Sequence, residues 1–203
     1  ITLGHRRLSI IDLSENGSQP MKSKCGNFII TFNGEIYNYL ELKKAVESEH
    51  KNFPWKGNSD TEVLLEACSK LGIDRTLDMV EGMFAFAIFD LKKHQFFLAR
   101  DRLGEKPLYY SFSRDRFIFS SEIKSFSCIS SLEKDISINS LGSFLEKSFI
   151  SEDKTIFRGI NKLQPANLLK FNLGSNDCSI SRYWDPIKYT TSECLFSGSR
   201  ADA

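Results

Sequence analysis

Four apolar, aromatic-rich runs crowd the middle of this chain: Met83-Phe84-Ala85-Phe86-Ala87-Ile88-Phe89-Asp90, Gln95-Phe96-Phe97-Leu98-Ala99-Arg100, Leu108 to Phe112, and Phe117-Ile118-Phe119. The links at Lys92-Lys93-His94 and Ser113-Arg114-Asp115 are short and polar. Parallel neighbours need a crossover of a dozen or more residues, so these links predict antiparallel hairpins. The chain holds 17 Phe residues, many of them here, and side chains of that bulk imply a thick core between packed layers. The expected architecture is a sheet covered by helices. The length of 203 residues fits one large domain or two small ones. A domain of this size buries roughly 70% of its unfolded surface without cross-links.

Around this centre the periodicity predicts a strand near Leu8 to Ile11, a strand from Phe28 to Phe32, and a helix from Asp60 to Leu71. In that helix Val63, Leu64, Ala67, Cys68 and Leu71 form one apolar stripe, and Ser59 with Glu62 makes a capping-box pattern. Short helices are expected at Glu122 to Phe126 and Ile138 to Leu145, with strands at Asn167 to Phe171 and Ser179 to Tyr183. Beyond Pro186 no periodicity remains, and residues 187–203 read as linker or disordered tail.

The segment Phe32-Asn33-Gly34-Glu35-Ile36 holds the sharpest local signal. Asn-Gly between apolar runs is a strong type I′ hairpin signal. A second strand would alternate, however, whereas Ile36, Tyr39, Leu40, Leu42, Ala45 and Val46 recur mostly three or four residues apart. The expected unit is therefore strand, Asn-Gly turn, and helix from about Ile36.

Composition excludes several classes. Twenty-seven basic and 26 acidic residues leave a net charge of +1, which argues against binding to nucleic acid or a membrane surface through bulk charge. No long apolar span or signal-peptide pattern is present. The five cysteines, Cys25, Cys68, Cys128, Cys178 and Cys194, are scattered without a metal-binding spacing, so neither a zinc site nor a disulfide framework is expected. The corresponding location is a reducing cytoplasm.

Three segments together suggest chemistry: Gly4-His5-Arg6-Arg7-Leu8-Ser9-Ile10, Asn33-Gly34-Glu35, and Ser59-Asp60-Thr61-Glu62. An amino-acid ligand needs a cation for its carboxylate and an anion for its ammonium. If its amide is to be cleaved, it also needs donors for the oxyanion. Arg7, Asp60, and Asn33 with Gly34 supply one each, and the planar guanidinium suits a carboxylate bidentately. Each also has a duller role, as a strand-end charge, a helix-start acid or a turn residue.

These segments, with M-F-A-F-A-I-F-D, A-R-D-R-L-G-E-K-P-L-Y-Y and F-R-G-I-N-K-L-Q-P followed by Y-W-D, resemble the glutaminase domain of glutamine-hydrolysing asparagine synthetases from about Gly4 to Pro186. The resemblance implies a class II glutamine amidotransferase. Its fold would be α+β: the four-layer αββα sandwich of antiparallel sheets of the N-terminal-nucleophile hydrolases, missing its first strands. Residues 1–186 would be that domain, truncated at its N-terminus. By position, Arg7 would hold the glutamine carboxylate, Asp60 the α-ammonium, and Asn33 and Gly34 the oxyanion. Glu35 would lie beside them, and Leu8 to Ile10 would line the pocket. Relatives attack the amide with an N-terminal Cys whose own α-amino group serves as base.

The first residue here is Ile1, and an internal Cys cannot combine thiol and free α-amino group on one residue. The resemblance therefore implies that the Cys-bearing segment is absent and that this chain alone is inactive. No S-G-G-x-D-S-type pyrophosphate loop occurs either. The expected cofactors are none in this domain, with ATP and Mg confined to an absent synthetase domain that amidates aspartate or a related carboxylate. Expected partners are glutamine and that domain, with a homodimer compatible and neither nucleic acid nor membrane. The alternative reading is a non-catalytic glutamine-binding or regulatory module. The Arg100 to Pro107 run is basic and contains Gly104, but its alternating charge predicts a structural turn more than a phosphate site. His5, His50 and His94 are expected to be solvated or structural.

Overall fold

The computed structural model describes residues 1–6, 15–113, 116–130, 132, 134–151 and 153–189. The strand expected near Leu8 to Ile11 lies outside them. Strand β1 (Met21–Lys22) edges β2 (Phe28–Ile36), which is followed by helices α1 (Tyr39–Glu49), α2 (Asp60–Lys70) and α3 (Ile73–Met79). Then come β3 (Gly82–Asp90), β4 (Gln95–Arg100), β5 (Tyr109–Ser113), β6 (Arg116–Ser120), α4 (Ile138–Lys147), β7 (Asn161–Lys162), β8 (Asn167–Asn172) and β9 (Cys178–Arg182). Short 3-10 helices occupy Ile123–Cys128 and Pro186–Tyr189, so regular backbone continues three residues past the expected end of the domain.

Two antiparallel sheets result, one in the order β1-β2-β3-β4-β8-β9 and a smaller one in the order β6-β5-β7. Both expected hairpins, β3–β4 and β5–β6, are present. The continuous apolar composition of β3 follows from burial on both faces. Phe84, Phe86 and Ile88 join Ile30, Phe32 and Ile36 of β2 beneath Leu42, Val46, Val63, Leu64 and Leu77 of the helices. On the other face, Ala85, Ala87 and Phe89 cluster with Leu98, Leu108, Leu169 and Phe171. There the small sheet closes on the large one through aromatic contacts. Phe117 stacks on Phe171 at 4.3 Å between centroids, and Phe96 meets Phe117 and Phe119, each at 5.8 Å. Of these, Phe96 and Phe171 are buried, and each contributes about 1.5–3 kcal/mol by burial.

The Asn33-Gly34 turn is not formed. β2 runs through both residues to Ile36, opposite β3, with Asn33 facing Ala85, Gly34 facing Phe84 and Ile36 facing Gly82. The strand-to-helix junction lies at Tyr37-Asn38 instead. There the Asn38 side chain donates to the Met79 carbonyl and accepts from the Glu81 N–H, both at 2.9 Å, joining this junction to the one between α3 and β3. Local propensity could not see that tie, because its partners lie some 40 residues away in sequence. Helix α2 starts at Asp60 as expected. Ser59 caps it by accepting from Glu62 N–H at 3.1 Å, while Glu62 reaches back to the N–H groups of Lys56 and Gly57, each at 2.8 Å.

The Arg100 to Pro107 run carries the chain from the large sheet to the small one. Arg100 is buried, and its guanidinium donates to the carbonyls of Lys106 (2.7 Å), Leu163 (2.8 Å) and Gly104. With its donors so occupied, the loop has the structural role expected of it. Four cysteines are described, and none is in a disulfide. Cys68 is fully buried, which pushes its thiol up to about 12. At exposed Cys25 burial raises the value, but hydrogen bonds from Ser23, Ser69 and the Asn27 backbone outweigh it and lower the thiol below its ordinary value. Iodoacetamide at pH 7.5, followed by peptide mapping, should label Cys25 well before Cys68. Equal rates in the folded chain would contradict this placement.

Candidate functional site

A cleft of about 500 Å3 lies between the two sheets. One wall is the inner face of β2 and β3, where strand alternation presents Thr31, Asn33, Glu35, Ala85 and Ala87. The opposite wall includes Leu108, Phe119 and Glu122, while Gln19, Ser59, Asp60 and Thr61 close one end. Gly4, His5 and Arg6 also border it. The cleft thus gathers Asn33, Gly34, Glu35 and Asp60 from segments far apart in sequence. Arg7, Leu8 and Ile10, the other expected ligand contacts, lie outside the described residues.

The backbone polarity of β2 is set by its neighbours. Phe32 N–H donates to Gln19 Oε1 at 2.6 Å, and Ile36 N–H donates to Asp60 Oδ2 at 3.1 Å. Along a strand, N–H groups two apart point to the same edge, so Gly34 N–H points between these two acceptors and away from β3. Among the described residues β1 pairs only with Ile29 and Ile30, and no strand pairs with this edge at Gly34. Asn33 projects its amide into the cleft from the adjacent position. A side-chain amide and a backbone N–H therefore border one cavity.

Asp60 is 6% exposed, and its other oxygen accepts from Thr61 N–H at 2.8 Å. Burial raises its carboxyl above the ordinary aspartate value. The hydrogen bonds from Ile36 and Thr61 oppose that shift, and the nearby Glu35 charge adds to it. A buried carboxylate whose charge is disfavoured by burial is a ready receptor for an ammonium group.

Gln19, Lys106 and the Phe119 to Glu122 wall were not singled out in the sequence. Gln19 bridges two walls, accepting from Phe32 and donating to Thr61 Oγ1 at 3.4 Å, but nothing local marks an isolated Gln before Pro. The alternating alanines Ala85 and Ala87 were a usable signal, since small residues on one sheet face leave room for a ligand. Among the described residues no group of His, Cys, Asp and Glu is placed to hold a metal ion, and no helix is long and apolar enough to cross a membrane.

A family model described as "Glutamine amidotransferase domain" matches residues 1–184. An asparagine-synthetase homologue from Methanocaldococcus jannaschii is 39% identical over 205 residues, covering 93% of this chain and 39% of that one. Asparagine synthetase [glutamine-hydrolyzing] 1 of Bacillus subtilis is 38% identical over 175 residues, covering 82% of this chain and 26% of that one. The chain thus spans well under half the length of these relatives. Among solved structures, the Bacillus subtilis glutamine phosphoribosylpyrophosphate amidotransferase superimposes with a TM-score of 0.60 at 20% identity, covering 89% of this chain and 34% of that one. That likeness is one of fold: the antiparallel sheets and their covering helices superimpose.

Proposed function

The chain belongs to the glutamine amidotransferase domain family, and from that premise we propose that its cleft is the glutamine site of an asparagine-synthetase-like enzyme. The observation that carries the reading is the convergence of a buried Asp60 with the Asn33 amide and the outward Gly34 N–H on one cavity. Asp60 receives the α-ammonium. Arg7, by position in the motif, receives the α-carboxylate. The side-chain amide then reaches along β2, with its carbonyl oxygen between Asn33 and Gly34.

When a nucleophile adds to the amide carbon, negative charge moves onto that oxygen, and donors fixed in a strand need no reorganisation to meet it. Each such donor is worth about 2.7–4 kcal/mol of transition-state stabilisation. The nucleophile of the family is an N-terminal Cys. The names of the relatives support aspartate as the ammonia acceptor in the whole protein, on a synthetase domain outside these 203 residues.

Calorimetry tests the proposal. The chain should bind L-glutamine with one-to-one stoichiometry. A folded chain that gives no heat with glutamine would refute the reading.

A further inference from the structure

Asp101, in the loop that joins the two sheets, is 1% exposed, and its carboxylate accepts four backbone N–H groups. Oδ1 takes those of Leu103 (3.1 Å) and Glu105 (2.9 Å), and Oδ2 takes those of Phe84 (3.2 Å) and Lys106 (3.0 Å). Its own N–H donates to the Phe84 carbonyl at 2.8 Å. Strand β4 ends one residue earlier, where Arg100 faces Ala85, so Asp101 holds both backbone polar groups of Phe84 in place of a continuing strand.

Phe84 faces Gly34 across β2 and β3, and the approach there is unusually close. A Cβ on Gly34 would lie 2.1 Å from the Met83 carbonyl oxygen and 2.7 Å from Phe84 Cα. A Cβ on Gly82 would lie 2.1 Å from the Glu35 carbonyl oxygen. The position of Gly34 is thus set by the β3 backbone, and that backbone is gripped on its far side by Asp101. The same carboxylate fixes Lys106, which lines the cleft.

We propose that Asp101 is a positioning residue for the Asn33–Gly34 donors, acting through the Phe84 backbone without touching the ligand. The assignment rests on the glutamine reading above. Asp90 supplies an internal control. It caps the other end of β3, is 4% exposed, and accepts from Lys92 (2.9 Å) and Lys93 (3.0 Å) N–H groups, away from the cleft.

The experiment compares amide 1H–15N spectra of the 203-residue chain as wild type, Asp101→Asn and Asp90→Asn, each then titrated with L-glutamine. Asn at 101 keeps the shape but turns an NH2 toward backbone N–H groups. D101N is expected to move the Gly34 resonance in the free chain and to weaken glutamine binding at least tenfold, while D90N does neither. An unmoved Gly34 resonance in D101N, or an equal shift in D90N, overturns the proposal. If D101N does not fold, Gly104→Ala strains the same loop, since its Cβ would lie 2.7 Å from Pro165 Cγ; a silent Gly34 resonance there also overturns it. A wild-type chain that binds no glutamine, with the Gly34 resonance still moved by D101N, overturns the glutamine reading alone.

Discussion

Replacing Gly34 by alanine is expected to destabilise the fold by about 3–5 kcal/mol, a drop of roughly 6–20 °C in Tm for a domain of this size. Two effects add. Gly34 has φ of +149°, which L side chains rarely adopt, and its new Cβ would enter the Met83 carbonyl oxygen at 2.1 Å. The obstacle is backbone in the middle of a sheet, so neither side can yield without breaking the β2–β3 ladder. Gly82→Ala should behave alike, because its φ of +157° and its 2.1 Å clash with Glu35 O mirror those of Gly34. Gly142→Ala is the contrast: it lies within α4 with nothing within 4 Å of the new atom, and should be neutral or gain up to about 1 kcal/mol from helix propensity. Urea unfolding of the three variants checks this. A cost below about 1 kcal/mol at Gly34 would show that the strands are not in such close approach.

The second large effect is on ligand affinity. Asp60→Asn should weaken glutamine binding by tens-fold or more, since truncating one partner of a buried charge pair typically costs about 2–5 kcal/mol. The pH dependence carries an additional signature. Burial raises the folded-state pKa of Asp60 above its unfolded value, so folding favours the protonated form. Its contribution to stability is complete below the ordinary aspartate value and is lost as pH rises through the raised one. Glutamine affinity runs the opposite way: the ammonium needs the carboxylate, so binding strengthens across the same window. Wild type should therefore show glutamine affinity rising as pH increases from about 4, while thermal stability loses the Asp60 contribution; D60N should lack both components. Glutamine affinity in D60N equal to that of wild type at pH 7 would remove Asp60 from the site.

The antiparallel hairpins of the central sheet were legible in the sequence from apolar runs joined by short polar links, because hairpin length is a local property. The start of α2 was legible for the same reason: Ser59 and Glu62 act within one turn. The run through Asn33-Gly34 was misread because its backbone conformation is imposed by β3, and the true junction at Asn38 depends on Met79 and Glu81. Helix α3 went unread, being only seven residues long.

For the site, residue identity came from the sequence and arrangement did not. Asn33, Gly34 and Asp60 could be chosen by chemical type although each has a duller local use, and Glu35 only through the motif resemblance. That Gly34 N–H points away from β3, that Asp60 has lost its water, and that Asp101 braces the strand behind them are decided by partners 13 to 24 residues distant at the least. The chain itself specified which chemical groups it carries and which segments form strands and helices, through side-chain chemistry and local periodicity. Where those groups stand, and how costly Asp60's charge is, only sheet register and burial decide, because both arise from contacts that no local stretch of chain contains.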